Sequence, residues 1–354
     1  MTEVRPSSVE PKTEATSTEP RAAARTWLEA GRPIAIATVI DTWGSAPVRT
    51  GGQLAIAGVD EFQGSVSGGC VEADVIAAGL DVIQSGHPET LNFGVADETA
   101  WRAGLACGGK IRVHVARFDP KSDLAFLKNV DAAIAERSPI VVATRLADGN
   151  RQIIDATAAT QPEVAEALRR GRSALDATGE TFLHAITPAR RVIIVGATHI
   201  AQHLALMATA SGYDVKVIDP RTAFTSPARF EPSQIVGGWP EDGLAKLAAD
   251  PFTAIVTLTH VDEIDDEALT LALKSPCRYI GSLGSRKTHA KRVARLKSAG
   301  FSDADIARIH APIGLDIGAR TPEETAVSIC AEIISARTGR KAQALRDATG
   351  PIHS

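Results

Sequence analysis

The chain has little cysteine, and what it has is dispersed. Cys70, Cys107, Cys277 and Cys330 form no CxxC pair in 354 residues, which excludes a disulfide framework or a zinc finger and fits a reducing cytoplasm. It also lacks an excess of charge of one sign, with 38 Lys and Arg against 42 Asp and Glu. No general basic field is present to draw the chain to nucleic acid or to an anionic membrane. No apolar run approaches the roughly 20 residues that span a bilayer, and no period of some 20 to 50 residues repeats to suggest a solenoid. A soluble cytoplasmic protein with local, small-molecule chemistry is the expectation.

The hydrophobic content, 44%, is enough for two ordinary domains. Residues 1–20 are rich in Glu, Pro, Ser and Thr and poor in large apolar groups, so a disordered tail is expected there; its acids also argue against an organellar transit peptide. Order is expected from Arg21, with a helix over RAAARTWLEAG ending at Gly31. A first, mixed α+β domain is expected over 21–187. Its strands are PIAIATVIDT from Pro33, QLAIA from Gln53, Phe62–Val66 and KIRVHVARF from Lys110. In the last of these, Ile111, Val113 and Val115 alternate with Arg112 and His114, the period of a half-buried strand. Residues 71–85 carry apolar groups at helical spacing and stop at Gly86. Beyond 119 the pattern reads as a helix (124–136), a strand (139–146) and a charged helix (162–171), with no site chemistry apparent.

From Arg190 to about 340 strands and helices alternate, the rhythm of a Rossmann-like doubly wound parallel sheet. The overall class is therefore α/β, with a short C-terminal tail over 341–354. The final helix opens Thr321-Pro322-Glu323-Glu324, which has the form of a capping box.

Three stretches carry candidate chemistry. In GSVSGGCVEADV, from Gly64, the residues Ser67, Gly68, Gly69 and Cys70 precede the helix at 71. Unsatisfied amides and the helix dipole there suit an anion, and the same field lowers the pKa of a thiol. Against this, a lone cysteine is as readily a small apolar filler. Cys107, Gly108 and Gly109 form a second glycine loop, and two thiols beside two such loops suit a soft metal. The third stretch, VIIVGATHIAQHL, resembles the dinucleotide fingerprint GxGxxG. Gly196 fills the first slot, Thr198 the second and Ala201 the third, with Asp219 about 20 residues on, where a ribose-binding acid is expected. Gly196, Thr198, His199, Asp219 and Arg221 are thus the candidate nucleotide residues for NAD(P). The threonine obstructs close approach of a pyrophosphate, and an ion pair of Asp219 with Arg221 is an equally good reading. His260 follows the apolar strand TAIVTLT at the edge where such sheets bind ligands. Arg286, Lys287, Lys291, Arg292, Arg295 and Lys297 crowd one helix; a solvated face is the plain reading, and a phosphate contact by Arg286 and Lys287 the functional one.

Taken in order, GSAPVRTGGQLAI, GSVSGGCVEADV, LACGGKIRVHV, the Thr259-His260 pair, YIGSLGSRK and RIHAPIGLDIGARTPEETAVSI resemble the XdhC/CoxI family over residues 34–337. The resemblance implies an accessory protein that binds a molybdopterin-type molybdenum cofactor and protects it while a cysteine desulfurase supplies sulfur. It then inserts the cofactor into xanthine dehydrogenase or a related molybdenum hydroxylase. It implies cofactor contacts at Ser67, Gly68, Gly69, Cys70, Cys107, Gly108, Gly109, His260, Asp265, Arg286 and Lys287, with Cys70 and Cys107 as soft ligands to molybdenum. A cofactor chaperone, rather than an enzyme that turns over, is the expectation. Alternatives are an NAD(P)-dependent oxidoreductase with a degenerate fingerprint and a non-catalytic scaffold. A homodimer is expected from the frequency of such assemblies.

Overall fold

The computed structural model describes residues 19–44, 46–69, 71–94 and 109–349. Residues 1–18 of the expected tail over 1–20 and residues 350–354 of that over 341–354, with the candidates Cys70, Cys107 and Gly108, lie outside them. The chain divides into two compact units, Met1–Pro188 and Ala189–Ser354.

The first unit begins with α1 (Pro20–Glu29), followed by β1 (Ile34–Trp43), β2 (Gln53–Ile56), β3 (Phe62–Gly64), α2 (Glu72–Ser85), β4 (Glu89–Phe93) and β5 (Lys110–Phe118). The five strands make an antiparallel sheet in the order β3-β2-β1-β5-β4. Strand alternation sends Ala35, Ala37, Val39, Ile111, Val113 and Val115 to one face, where α2 covers them with Val75, Ile76 and Val82. Full burial of each such aliphatic side chain contributes roughly 1.5–3 kcal/mol. α2 stops because Gly86 turns left-handed at φ +77° and donates its N–H back to Val82, the usual glycine stop.

The region after β5 adds α3 (Asp123–Ala135), β6 (Ile140–Arg145), β7 (Arg151–Asp155), α4 (Pro162–Arg170), β8 (Ala174–Leu175) and β9 (Thr181–Ile186). The sequence pattern predicts one strand here; the structure has four, in a second antiparallel sheet ordered β7-β6-β9-β8. β7 and β8 are short and of mixed polarity, so they carry no clean alternation, and their pairing with β6 and β9 makes them strands. This sheet corrects the reading of β5 as half buried. His114, on the polar side of the alternation, is only 3% exposed, because β6 and β9 lie over that face and enclose a cavity with it.

The second unit comprises β10 (Arg191–Val195), α5 (His199–Ala210), β11 (Asp214–Ile218), α6 (Pro240–Leu247), β12 (Thr253–Thr257), α7 (Asp262–Lys274), β13 (Tyr279–Ser282), α8 (Arg286–Ser298), α9 (Asp303–Ile306), β14 (Ile309–His310) and α10 (Pro322–Thr338). Its strands run parallel in the order β11-β10-β12-β13-β14. The expected strand over QIVGG is reduced to a single parallel bridge, Ile235 to Val217. Counting that bridge, the order is the 3-2-1-4-5-6 of dinucleotide-binding sheets. Both faces are covered, with α5 and α10 on one and α7 and α8 on the other. β10 and β12 are consequently buried at every residue, as parallel strands between helix layers must be. The capping box at Thr321 and Glu324 forms as expected. Among the described residues no helix is long and apolar enough to cross a membrane.

Candidate functional site

In the first unit the glycine loop runs from β3 into α2. Gly68 and Gly69 take φ +81° and +117°, a left-handed region that favours glycine, and a Cβ on Gly69 would meet nothing within 4 Å. The loop is organised by Glu72, the first residue of α2, which sequence reasoning missed. Its Oε1 accepts from Ser65 Oγ (2.6 Å), Ser67 N (2.9 Å) and Val66 N (3.2 Å). Its Oε2 accepts from Ser67 Oγ (2.5 Å), Gly69 N (2.8 Å) and Val71 N (3.3 Å). Partial burial works to raise the carboxyl's pKa, but these hydroxyls and amides outweigh it and draw it down to about 2. The expectation that the amides stand open to an external anion is thereby corrected: they already hold an internal one. Gly68 N bonds Ser65 Oγ at 2.8 Å, and Ser67 is 1% exposed, so Ser67 is part of the loop's frame. An acid in the first turn of a helix is a favourable placement, but the separation of Ser67 and Glu72 matches no capping box, so the sequence carries no signal for this fold-back. Gly109, the one described member of the second loop, is buried just before β5.

In the second unit the candidate loops share the carboxyl edge of the parallel sheet. The strand order reverses between β10 and β12, and the two loops touch there. A Cβ on Gly196 (φ +107°) would lie 2.6 Å from Thr259 Cγ2 and 2.8 Å from Thr259 N, so only glycine fits. Thr198 caps α5 by backbone conformation alone, without a side-chain hydrogen bond. Asp219, fully buried, accepts from Arg221 N (2.9 Å), Nε (2.8 Å) and Nη2 (2.7 Å) and from Ala197 N (2.8 Å). Both of its oxygens are thus engaged in fixing the turn. This is the ion-pair reading of Asp219.

His260 is exposed, with φ +61°. The turn beneath it is held by Asp265, whose Oδ1 accepts from Thr259 Oγ1 at 2.7 Å and Thr259 N at 3.3 Å. Asp265 is 1% exposed and lies 3.5 Å from Arg292 Nη2. Burial raises its pKa against the opposing pull of Thr259, Arg292 and His260. Asp265 thus holds the turn through Thr259. Arg286 and Lys287 are exposed at the first turn of α8, where Ser285 accepts from Thr288 N at 3.1 Å. The basic run on α8 is not a uniformly solvated face: Arg292 is buried, Arg295 pairs with Asp262 and Asp266, and Lys297 pairs with Asp303. The acids come from α7 and α9, which a linear reading of the run cannot see.

A parallel sheet of this order, with a histidine on a loop and two cations at a helix start, defines a Rossmann-like unit, which follows in the chain an α+β unit with an acid-locked glycine loop. The chain matches the XdhC and CoxI family over residues 27–94 and the XdhC Rossmann domain over residues 192–333. It belongs to the XdhC/CoxI family. It is 28% identical over 323 residues to a probable xanthine dehydrogenase subunit of Bacillus subtilis, covering 88% of this chain and 95% of that protein. It is 26% identical over 311 residues to the molybdenum cofactor insertion chaperone PaoD of Escherichia coli, covering 88% of this chain and 85% of that protein. A crystal structure of a xanthine dehydrogenase from Bacillus halodurans superposes with a TM-score of 0.62 at 26% identity, covering 90% of this chain and 97% of that one.

Proposed function

We propose that this protein carries the molybdenum cofactor during maturation of a molybdenum hydroxylase such as xanthine dehydrogenase, with the cofactor as cargo rather than as a group that turns over. The observation that carries this reading is the similarity to a molybdenum cofactor insertion chaperone along most of both chains. Exposed Gly68 and Gly69, their amides already bonded to Ser65 and Glu72, leave open space for a ligand against the loop in the first unit. Exposed Arg286 and Lys287 offer charge to a phosphate in the second. Cys70 and Cys107 are the soft donors that a molybdenum–dithiolene end would select. Protection of the cofactor during sulfuration by a cysteine desulfurase belongs to the same proposal, as does homodimerisation. Nicotinamide binding is the weaker reading, because Asp219 is committed to Arg221 and Ala197.

The test is purification, without an affinity tag, from a host that makes molybdopterin, followed by oxidation to the fluorescent pterin and by metal analysis. Wild type is expected to retain pterin and molybdenum together, and Gly69→Val to lose both with an unchanged circular dichroism spectrum. Nicotinamide in place of pterin would overturn the proposal.

A further inference from the structure

We propose that His199, His203 and Glu323 form a binding site for a divalent transition-metal ion of the zinc, cobalt or nickel kind, independent of the cofactor. Their ligand atoms all lie within 4.8 Å of one another. His199 and His203 sit one helical turn apart at the start of α5 and so share a face. Their rings meet edge to face with centroids 4.8 Å apart. Glu323 reaches them from α10. Its carboxylate, held below the usual range first by its own backbone N–H and then by Thr321, places Oε1 3.2 Å from His203 Nε2.

Ligands about 2.0–2.1 Å from a tetrahedral ion are separated from each other by about 3.3 Å. The His203–Glu323 pair is already at that spacing, and the exposed His199 ring closes the remainder by side-chain rotation. His203 Nε2 is shielded from solvent and, although 3.2 Å from Glu323 Oε1, is not aligned with it or any other described group for a hydrogen bond, which is costly for an imidazole nitrogen unless something else takes its lone pair. His199 Nδ1 lies 3.2 Å from Gln202 Oε1. The tautomer that donates to Gln202 leaves Nε2 to ligate, and outer-shell partners of this kind fix ligating histidines. Gln202 is in turn held by Arg229, through the Arg229 carbonyl oxygen and Nη2.

The chemistry selects the ion. Calcium and magnesium ask for several oxygens, and only one carboxylate is offered. The positive ends of two helices, α5 and α10, also disfavour an ion held by charge alone. Two imidazoles favour the borderline metals. Three protein ligands leave a fourth position for water or a small anion. An ion bound there joins the first turns of α5 and α10, so it stabilises the second unit by binding the folded state.

The test uses untagged, metal-free protein titrated with cobalt(II) and followed by its visible absorption, with zinc as competitor. One equivalent is expected to bind with a nitrogen–oxygen spectrum free of thiolate charge transfer, and binding is expected to survive in Cys70→Ser/Cys107→Ser. Affinity falls by at least about a hundredfold in His203→Ala and in the surface variant His199→Ala, more than outer-shell changes cause. Zinc raises the melting temperature of wild type and not of either variant. Circular dichroism checks that the variants fold, and His199, being exposed, carries the test if His203→Ala does not. Cobalt binding unchanged in His199→Ala, a thiolate-dominated spectrum, or no binding by wild type would each overturn the proposal; the last would leave His203 and Glu323 as an ion pair.

Discussion

Ser67 gives both its backbone N–H, at 2.9 Å, and its hydroxyl, at 2.5 Å, to the carboxylate of Glu72. A loop whose composition suggests an anion site is thereby built around an anion of its own. Glu72→Gln keeps the size, removes the charge and turns one oxygen into a donor that faces donors. A loss of roughly 2–4 kcal/mol in urea unfolding is expected, since hydrogen bonds to charged groups are the strong ones. The pH dependence follows from the depressed pKa: the contribution is complete above about 4.5, the ordinary value, and is lost as pH falls toward about 2. Wild type should show that slope and the variant should not. Equal stability of the two proteins would mean the carboxylate does not organise the loop.

The cavity between the two sheets of the first unit is about 50 Å³ and is lined by His114, His184, Arg21 and Arg151 among apolar neighbours. Burial, then the charge of Arg151, lowers His114 to about 4; burial, then Arg21, does the same for His184. Both rings are neutral in the folded state near pH 7, while the unfolded chain protonates them below about 6.5. Stability is therefore full above about pH 6.5 and falls as pH drops toward 4. Urea midpoints measured across that window should decline, and His114→Gln/His184→Gln should flatten the decline. An unchanged slope in the double variant would assign the pH dependence elsewhere.

Gly196→Ala should destabilise the second unit by several kcal/mol, because the new methyl meets Thr259 backbone in a left-handed turn. Gly212→Ala is the control: it is also left-handed, at φ +82°, but faces open space. It should cost about 1 kcal/mol. Thermal melts of the pair separate close approach from backbone strain, and equal losses would refute the close-approach argument.

Cys277 and Cys330 are buried, and burial raises both thiols. Neither should react with iodoacetamide in the folded protein. Cys70 and Cys107 should label readily and be protected by added molybdopterin, as read by peptide mass. Labelling of all four at one rate, or no protection of Cys70, would assign those thiols no part in cofactor binding.

Much of this architecture was legible because its signals are local. Alternation marks β5, the apolar run marks β12, and Thr321 with Glu324 announces α10. The second sheet was not legible, because β7 and β8 become strands only by pairing with neighbours. Of the candidate residues, Gly68, Gly69, His260, Arg286 and Lys287 are exposed on loops or at a helix start. What composition could not give is direction. Nothing in the string Ser-Gly-Gly-Cys-Val-Glu states that Glu72 folds back onto the amides, or that Asp265 turns inward to Thr259 and Arg292.

The claim that the protein delivers a molybdenum cofactor is tested most directly by transfer. Cofactor-loaded protein is mixed with an apo molybdenum hydroxylase, and recovered activity is compared with that from an equal amount of free cofactor under air. Faster and more complete activation is expected from the loaded protein, lost in Gly69→Val and reduced in Cys70→Ser. Activation no better than from free cofactor, or undiminished in both variants, would contradict it.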